Sequence, residues 1–439
     1  MNTKIYNIAL ISILLLIGSS SIGLAQLIVT GEIRPRTEFR NGFKRMTNAD
    51  TEPVLFVEQR SRIYLDYAMD RFKFKFAIQD VRLWGNYDQI QKSDPAMTTL
   101  NYGWGEYAMT KKSFIKVGRM MLRYDNERFL GGLEWAQQGR RHDGVLYKYV
   151  NDSTGVQFHA GVTYNESSNP DPEPRKLADT YYDRSNNKTM QFAWFHKDFE
   201  ESALSLLIHN DGREASDSSG IQFLQTYGII GNKKLGGINL NGEFYYQGGK
   251  DPSKRSVSAY FVSLNADIKA GSVPINFGVD MASGTKATET EKNNSWNPLY
   301  GTNHKFYGYM DYFYVGNDHK QGAKMSGLND FYVKSVFKTG EKSKFITHAH
   351  YFLSPVDVFN PENPSDDLDK ALGFELDLVY NLQVNSFINF QMGYSQMFGT
   401  DALDAIKRIP NGGDFVGDKS QINNWAWAML TFKPVLFKN

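Results

Sequence analysis

The chain contains no cysteine. That excludes disulfides, thiolate metal ligands, a cysteine nucleophile and lipid attachment at an N-terminal cysteine. An excess of charge of either sign is missing too: Lys and Arg number 49 against 48 Asp and Glu, so net charge singles out no partner. No apolar stretch reaches the roughly 20 residues a helix needs to cross a bilayer. Mean hydropathy is −0.47, which argues against a helical membrane protein. Helical periodicity is scarce, since apolar residues rarely recur at i, i+3 and i+4. Aromatics, by contrast, are plentiful at 14%. That level suits the interfacial girdles of a membrane barrel, and also aromatic-rich sugar-binding β-proteins.

The N-terminus carries Lys4, an apolar run of about ten residues from Ile8 to Ile17, and small residues at Gly23-Leu24-Ala25. This pattern predicts a cleaved signal peptide over residues 1–25 and export from the cytoplasm. The remainder, residues 26–439, shows no internal boundary and reads as one domain.

Period-two alternation dominates that remainder. In Phe56–Gly85, Glu58, Arg60, Arg62, Tyr64 and Asp66 share one face of a first strand. On a second strand Phe72, Phe74, Phe76 and Ile78 oppose Arg71, Lys73 and Lys75. From Leu27, Thr30, Glu32, Arg34, Arg36, Glu38 and Arg40 share a face, with Pro35 awkwardly on the other because it cannot donate a ladder hydrogen bond. The same rhythm recurs at 155–164, 202–209, 237–247, 273–281 and 371–384. In the last of these Leu372, Phe374, Leu376 and Leu378 oppose Gly373, Glu375 and Asp377. A soluble sandwich would bury the apolar face against a second sheet; a membrane barrel turns it to lipid and keeps the charges in a wet lumen.

Connection lengths decide between the two. Short ones fall at 70–71, 111–113, 151–154, 198–201, 232–235, 270–272, 339–343 and 385. Long ones fall at 41–53, 86–101, 121–141, 165–187, 210–219, 248–255, 284–327, 354–370 and 399–421. Strict alternation of this kind belongs to an up-and-down outer-membrane barrel with tight periplasmic turns and long outer loops. The sequence therefore predicts an all-β fold, a transmembrane antiparallel up-and-down β-barrel of about 18 strands. His304–Val315 is placed inside the long 284–327 loop rather than counted as a strand, and Asn424–Phe437 closes the sheet against the first strand.

All but five arginines precede residue 142. Arg34, Arg36, Arg60 and Arg62, with Lys73, fall on lumen parity; Glu243, Asp280, Glu375 and Asp377 fall there later in the chain. This predicts a basic wall with acids across the lumen, an arrangement that selects ions and grips carboxylates through planar guanidinium forks. The same arginines also have acids on neighbouring strands to pair with, which would only stiffen the wall. A second concentration, Val117–Tyr147, sets Arg119, Arg123, Asp125, Arg128, Arg140, Arg141 and Asp143 around Gly131-Gly132 and Trp135, and reads as a loop folded inward.

Enzyme motifs are weak. Asp125, His142 and Asp143 are the only acid–base group worth naming for a barrel hydrolase, and no nucleophile elbow or phosphate loop is visible. His348 and His350 share a strand face without a third ligand in view, so no metal site and no cofactor is expected. Basic residues alternate with acids, which gives nucleic-acid binding no support.

The stretches GEIRPRTEFR (31–40), EQRSRIYLDYAMDRFKFKFAIQDVRLWG (58–85), KVGRMMLRYDNERFLGGLEWAQQGRRHDGVLYKY (116–149) and NPLYGTNHKFYGYMDYFYVG (297–316) resemble the alginate-export family of outer-membrane barrels. The resemblance implies a monomeric 18-stranded barrel, inserted by the barrel-assembly machinery into outer-membrane lipid, whose arginine-rich lumen passes an anionic polysaccharide. Carried onto this sequence, it implies channel-lining roles for Arg34, Arg60, Arg62, Arg119, Arg128 and Arg140, with Asp125 and Asp143 as counter-charges. The expected function is an anion-selective outer-membrane porin for anionic sugars or other small anionic solutes. A plugged structural or adhesion barrel, and a barrel hydrolase, are the alternatives.

Overall fold

The computed structural model describes residues 25–86, 98–165, 187–216, 220–315, 319–321, 324–408 and 416–439. The expected signal segment, up to residue 24, lies outside the described residues. The membrane-spanning strands are β1 (Gln26–Asn41), β2 (Val54–Met69), β3 (Phe72–Leu83), β4 (Thr98–Ala108), β5 (Ser113–Met120), β6 (His142–Asn151), β7 (Val156–Tyr164), β8 (Thr189–Asp198) and β9 (Ser202–Glu214). They continue as β10 (Ile221–Leu235), β11 (Ile238–Lys250), β12 (Ser256–Ala270), β13 (Val273–Ala282), β14 (Leu328–Lys338), β15 (Ser343–Leu353), β16 (Ala371–Asn385), β17 (Ile388–Gly399) and β18 (Asn423–Phe432, resumed at Val435–Lys438). Each strand pairs antiparallel with its sequence neighbours, and β18 pairs with β1. The sheet is thus a closed 18-stranded ring, which removes the edges an open sheet would expose. Lys292–Asn293 adds a two-residue parallel segment to β12.

Alternation sorts the side chains as lipid and water require. Ile63, Phe74, Ile208, Ile229, Leu264 and Val333 lie exposed on the outer surface, whereas Arg60, Arg62, Gln79, Glu243, Asp280 and Asp377 are buried inside. The final strand follows suit, with Trp425, Trp427 and Met429 buried inward.

Several boundaries differ from the sequence reading. The turn expected at 232–235 lies at Gly236-Gly237, because β10 runs on through Asn232, Lys233 and Lys234. Those polar residues sit where the strand leaves the lipid, so they carry no turn signal of their own. β9 and β11 likewise extend into the connections expected at 210–219 and 248–255, and β4 begins at Thr98 rather than after 101. Leu372, expected to face lipid, is fully buried: the register shifts opposite Leu353, and Gly373, at φ +145°, turns the strand. His304–Val315 is indeed no barrel strand; after a 3₁₀ turn at Asn303–Lys305 it runs irregularly inside the ring. Among the described residues one short α-helix, α1 (Asp401–Arg408), interrupts the β-structure.

Pro35 finds its explanation at the seam. Pairing between β1 and β18 lapses at Arg34 and Pro35, while the β2 ladder, Pro35 opposite Gln59, is continuous. The last strand breaks nearby at Lys433-Pro434, so the missing donor coincides with a gap in the ladder.

If the outer face meets lipid, Leu264→Arg should destabilise the folded barrel by about 2–4 kcal/mol, the cost of arginine near the bilayer midplane. The same change at the lumenal Asn232 should cost little. Urea unfolding in lipid vesicles, read by tryptophan fluorescence, compares the two; equal costs would contradict the assigned faces.

Candidate functional site

Two connections turn inward and fill the waist of the ring: residues 121–141, between β5 and β6, and residues 296–315 of the connection between β13 and β14. What draws the first inward is visible in the β1–β2 ladder, which sets Arg34 directly opposite Arg60. Like charges in cross-strand register repel unless acceptors lie between them. The loop supplies those acceptors. Arg34 donates to Glu134 O at 2.8 Å, to Trp135 O at 3.0 Å and to Gln137 Oε1 at 2.9 Å. Arg36 donates to Trp135 O at 2.9 Å and lies 4.2 Å from the centre of the Trp135 ring. Arg60 reaches Glu134 Oε2 at 3.2 Å and Gln137 O at 3.3 Å. Arg62 reaches Glu134 Oε2 at 2.9 Å and Gln138 O at 2.9 Å. Wall carboxylates complete the set: Glu32 for Arg60, and Glu38 and Glu58 for Arg36 at 2.7 and 2.9 Å. Planar, multi-donor guanidiniums suit this clamp where a lysine would not. Burial alone would raise the Glu134 carboxyl, but Arg141, Arg62 and Arg60 hold it below the usual carboxylate range.

Across the lumen the same loop is held by acids. Arg128 pairs with Asp280 at 2.7 Å and lies 3.6 Å from the centre of the Phe306 ring. Asn126 donates to Glu243 at 2.5 Å. Asp125 accepts from Trp194 Nε1 at 3.0 Å and Ser205 Oγ at 2.5 Å; burial pushes its carboxyl up against those hydrogen bonds. A Cβ at Gly131 would meet Thr302 Oγ1 at 2.3 Å, so only glycine lets the two inward loops touch there. They join through Gly131 N to Tyr300 O at 2.9 Å and Arg140 to Gly301 O at 3.0 Å.

The second loop is fixed to the acidic wall. Glu375 accepts the Met310 amide at 2.8 Å, and Asp377 accepts that of Tyr309 at 3.3 Å. Gly308, at φ +82°, has no room for a Cβ, which would fall 2.6 Å from the Glu375 carboxylate. Trp135 stacks on His304, with ring centres 4.6 Å apart, and meets Trp427 edge-on.

Two cavities flank this waist. The one toward the long connections measures about 340 Å³ and is lined by Arg36, Arg40, Lys44, Arg140, Trp135 and Tyr314, among others. The one toward the short turns measures about 680 Å³ and is lined by asparagines and acids, including Asn232, Asn241, Asn265, Asp267 and Glu243, together with Arg128, Lys305 and Lys334. Arg140 has no carboxylate partner among the described residues, and burial lowers its pKa to about 10 against the influence of Tyr300.

The sequence-nominated residues therefore divide. Arg34, Arg36, Arg60, Arg62, Arg128, Arg140 and Asp125 meet at the waist. Lys73 faces inward nearer the short turns, opposite Glu106, and Glu375 and Asp377 hold the second loop. Arg119 and Asp143 do not line the channel. They share the parity of Ile115, Val117 and Val145 on the outer surface and pair with each other at 2.5 Å. Reading residues 117–147 as one charged loop hid the ends of β5 and β6 that fix this parity. The hydrolase group is not assembled either: Asp143 faces outward, His142 packs edge-on to Tyr300, and Asp125 is bound to Trp194 and Ser205. Gln79 and Asn101 were missed; both donate to Gln138 O at 3.2 Å, and for Gln79 parity alone could have placed it inward.

Replacing Arg34 and Arg62 together with alanine should free residues 134–138. Trypsin should spare Arg140 and Arg141 in the wild type and cut there in the variant within a folded barrel; continued protection of the variant would refute the clamp. A pH effect follows from Glu134. Because its folded pKa is depressed, its contribution is present above the unfolded value of about 4.3 and is lost as pH falls below it. Hydrogen exchange of the loop, corrected for intrinsic rates, should stay slow at pH 7 and 5 and rise in stronger acid. Glu134→Gln should remove that pH dependence.

The sequence matches the alginate export family over residues 25–408. No curated protein matches it. Among similar solved structures, OccAB4 of Acinetobacter baumannii is 10% identical with a TM-score of 0.59, covering 93% of this chain and 98% of that one. OccK2 (OpdF) of Pseudomonas aeruginosa, solved with glucuronate, is 14% identical with a TM-score of 0.57, covering 94% and 97%. OpdK of Pseudomonas aeruginosa, solved with vanillate, is 10% identical with a TM-score of 0.54, covering 92% and 98%. At such identities the likeness is one of fold, and it is to outer-membrane barrels. With most of the ring inside the family match, this chain belongs to the alginate export family and resides in the bacterial outer membrane.

Proposed function

We propose that the protein is a constricted outer-membrane channel for small anionic solutes, carboxylated sugars first among them. The observation that carries this reading is the outer cavity, where Arg36, Arg40, Lys44 and Arg140 surround Trp135 and Tyr314. Guanidinium forks bind carboxylates, and aromatic faces pack against the apolar faces of sugar rings. Arg140 is the strongest single contributor, since its charge is not already matched by a carboxylate. The glucuronate and vanillate bound by OccK2 and OpdK are both carboxylates, which agrees with this choice of solute class. Alginate, a polymer of carboxylated sugars, is consistent with the family match and is the first polysaccharide to try.

A second reading, a barrel plugged by its own loops, is favoured by one observation: four wall arginines spend their donors on loop carbonyls and carboxylates rather than on an open lumen. The two readings part in a planar bilayer. A channel conducts without modification, and its reversal potential in a salt gradient shows anion preference. Arg140→Ala should reduce that preference and weaken block by added glucuronate severalfold. Cation preference would remove the solute assignment. Silence until residues 121–141 are shortened would establish the plug.

A further inference from the structure

Behind the second inward loop lies a cluster of groups that the channel reading leaves without a task. His348 and His350 sit two residues apart on β15, so both point into the lumen. The third ligand, invisible from their own stretch of sequence, comes from the neighbouring strand. The β15–β16 ladder sets Asp377 directly opposite His348, and Glu375 opposite His350. One ligand atom each from His348, His350 and Asp377 lie within 4.8 Å of one another.

The surroundings orient these groups as metal ligands are oriented. His350 is fully buried, and its Nδ1 lies 2.9 Å from both carboxylate oxygens of Asp330 on β14. A proton on Nδ1 leaves Nε2 bare, and that nitrogen is buried without a hydrogen-bond partner, 3.9 Å from Asp377 Oδ2. His348 Nδ1 is likewise buried and unpartnered. Asp377 is held on its other side, where Oδ1 accepts from Ser395 Oγ at 2.5 Å. A carboxylate behind a ligating imidazole is the usual outer-shell support for a metal site. Ligands about 2.1 Å from a tetrahedral ion stand roughly 3.4 Å apart, so the 3.9 Å separation closes with a small side-chain rotation. Charge points the same way. Asp330, Glu375 and Asp377 bring three carboxylates, and Lys334, opposite His348 in the ladder, brings one ammonium. Three acidic side chains against one basic one make a patch that a divalent cation suits.

We propose that His348, His350 and Asp377 bind one divalent transition-metal ion of the zinc type. Two imidazoles and a carboxylate favour zinc, copper or nickel over calcium or magnesium, which prefer oxygen. Asp377 and Glu375 also hold the amides of Tyr309 and Met310, so the ion fastens the acidic wall at the point where it grips the constricting loop. Asp330 acts as a positioning residue for His350.

The test uses the folded full-length barrel in detergent, stripped with chelator and titrated with Co²⁺ and Cu²⁺. Expected are one Co²⁺ per chain with visible ligand-field bands, and a Cu²⁺ paramagnetic resonance spectrum split by imidazole nitrogen. His348→Ala and Asp377→Asn should each weaken Co²⁺ binding at least about tenfold, and Asp330→Asn by roughly 10–100-fold, the usual range for outer-shell partners. Retained heat-modifiable migration on gels verifies that each variant is folded. Wild-type protein that takes up less than one ion, or shows no nitrogen splitting, overturns the proposal. So does undiminished affinity in folded His348→Ala and Asp377→Asn. Should a variant fail to fold, the wild-type Cu²⁺ spectrum decides.

Discussion

Two guanidiniums facing each other across a ladder are the constraint from which the interior of this barrel follows. Arg34 and Arg60 cannot sit in register on bare sheet without acceptors between them, and the adjoining Arg36 and Arg62 deepen the demand. The chain answers with one pentapeptide, residues 134–138, whose carbonyls and single carboxylate receive donors from all four arginines. Once that segment is pinned, Arg128 is carried across the lumen to Asp280, and Trp135 is set against His304 of the second loop. The waist is therefore a consequence of charge placement on two strands rather than of loop length.

Much of this was legible beforehand. Alternation along β1, β2 and β16 gave the inward and outward faces, and the rhythm of short and long connections gave the ring and its strand number. The inward course of residues 121–141 was readable from its charge, and the exclusion of His304–Val315 from the ring followed from the even number of strands a single-chain bacterial barrel has, which counting that segment would make odd. What escaped depended on partners remote in sequence. No local pattern reveals that carbonyls 134–138 will saturate arginines about 75 to 100 residues upstream, nor that Asp377 lies beside His348. Bulges escaped as well: at Gly373 an irregular register reverses the face of Leu372. Arg119 and Asp143 were misplaced for a simpler reason, a loop boundary drawn inside two strands.

The interior is chemically uneven along its axis. Toward the long connections the cavity is mainly cationic, with Arg36, Arg40, Lys44 and Arg140 beside Glu58 and Asp311; toward the short turns, asparagines and the acids Asp125, Glu243 and Asp267 mix with Arg128, Lys305 and Lys334. A solute entering from the side of the long connections meets a mainly cationic cavity and then one of mixed charge and amides, with the pinned loops between. Grip at one end and looser hydration at the other is compatible with passage, because a site that binds too evenly along its length retains what it captures.

The break in the last strand at Lys433-Pro434 bears on the mechanics of the ring. Most neighbouring strands share nearly continuous ladders, but where the two ends of the chain meet, prolines stand on both sides, pairing lapses at Arg34 and Pro35, and the register slips between Val29 and Thr30. A hoop opens more easily where rungs are missing, and at this join the gap falls in mid-ladder, so the buckle of the belt is one place where the wall can yield sideways to the surrounding bilayer.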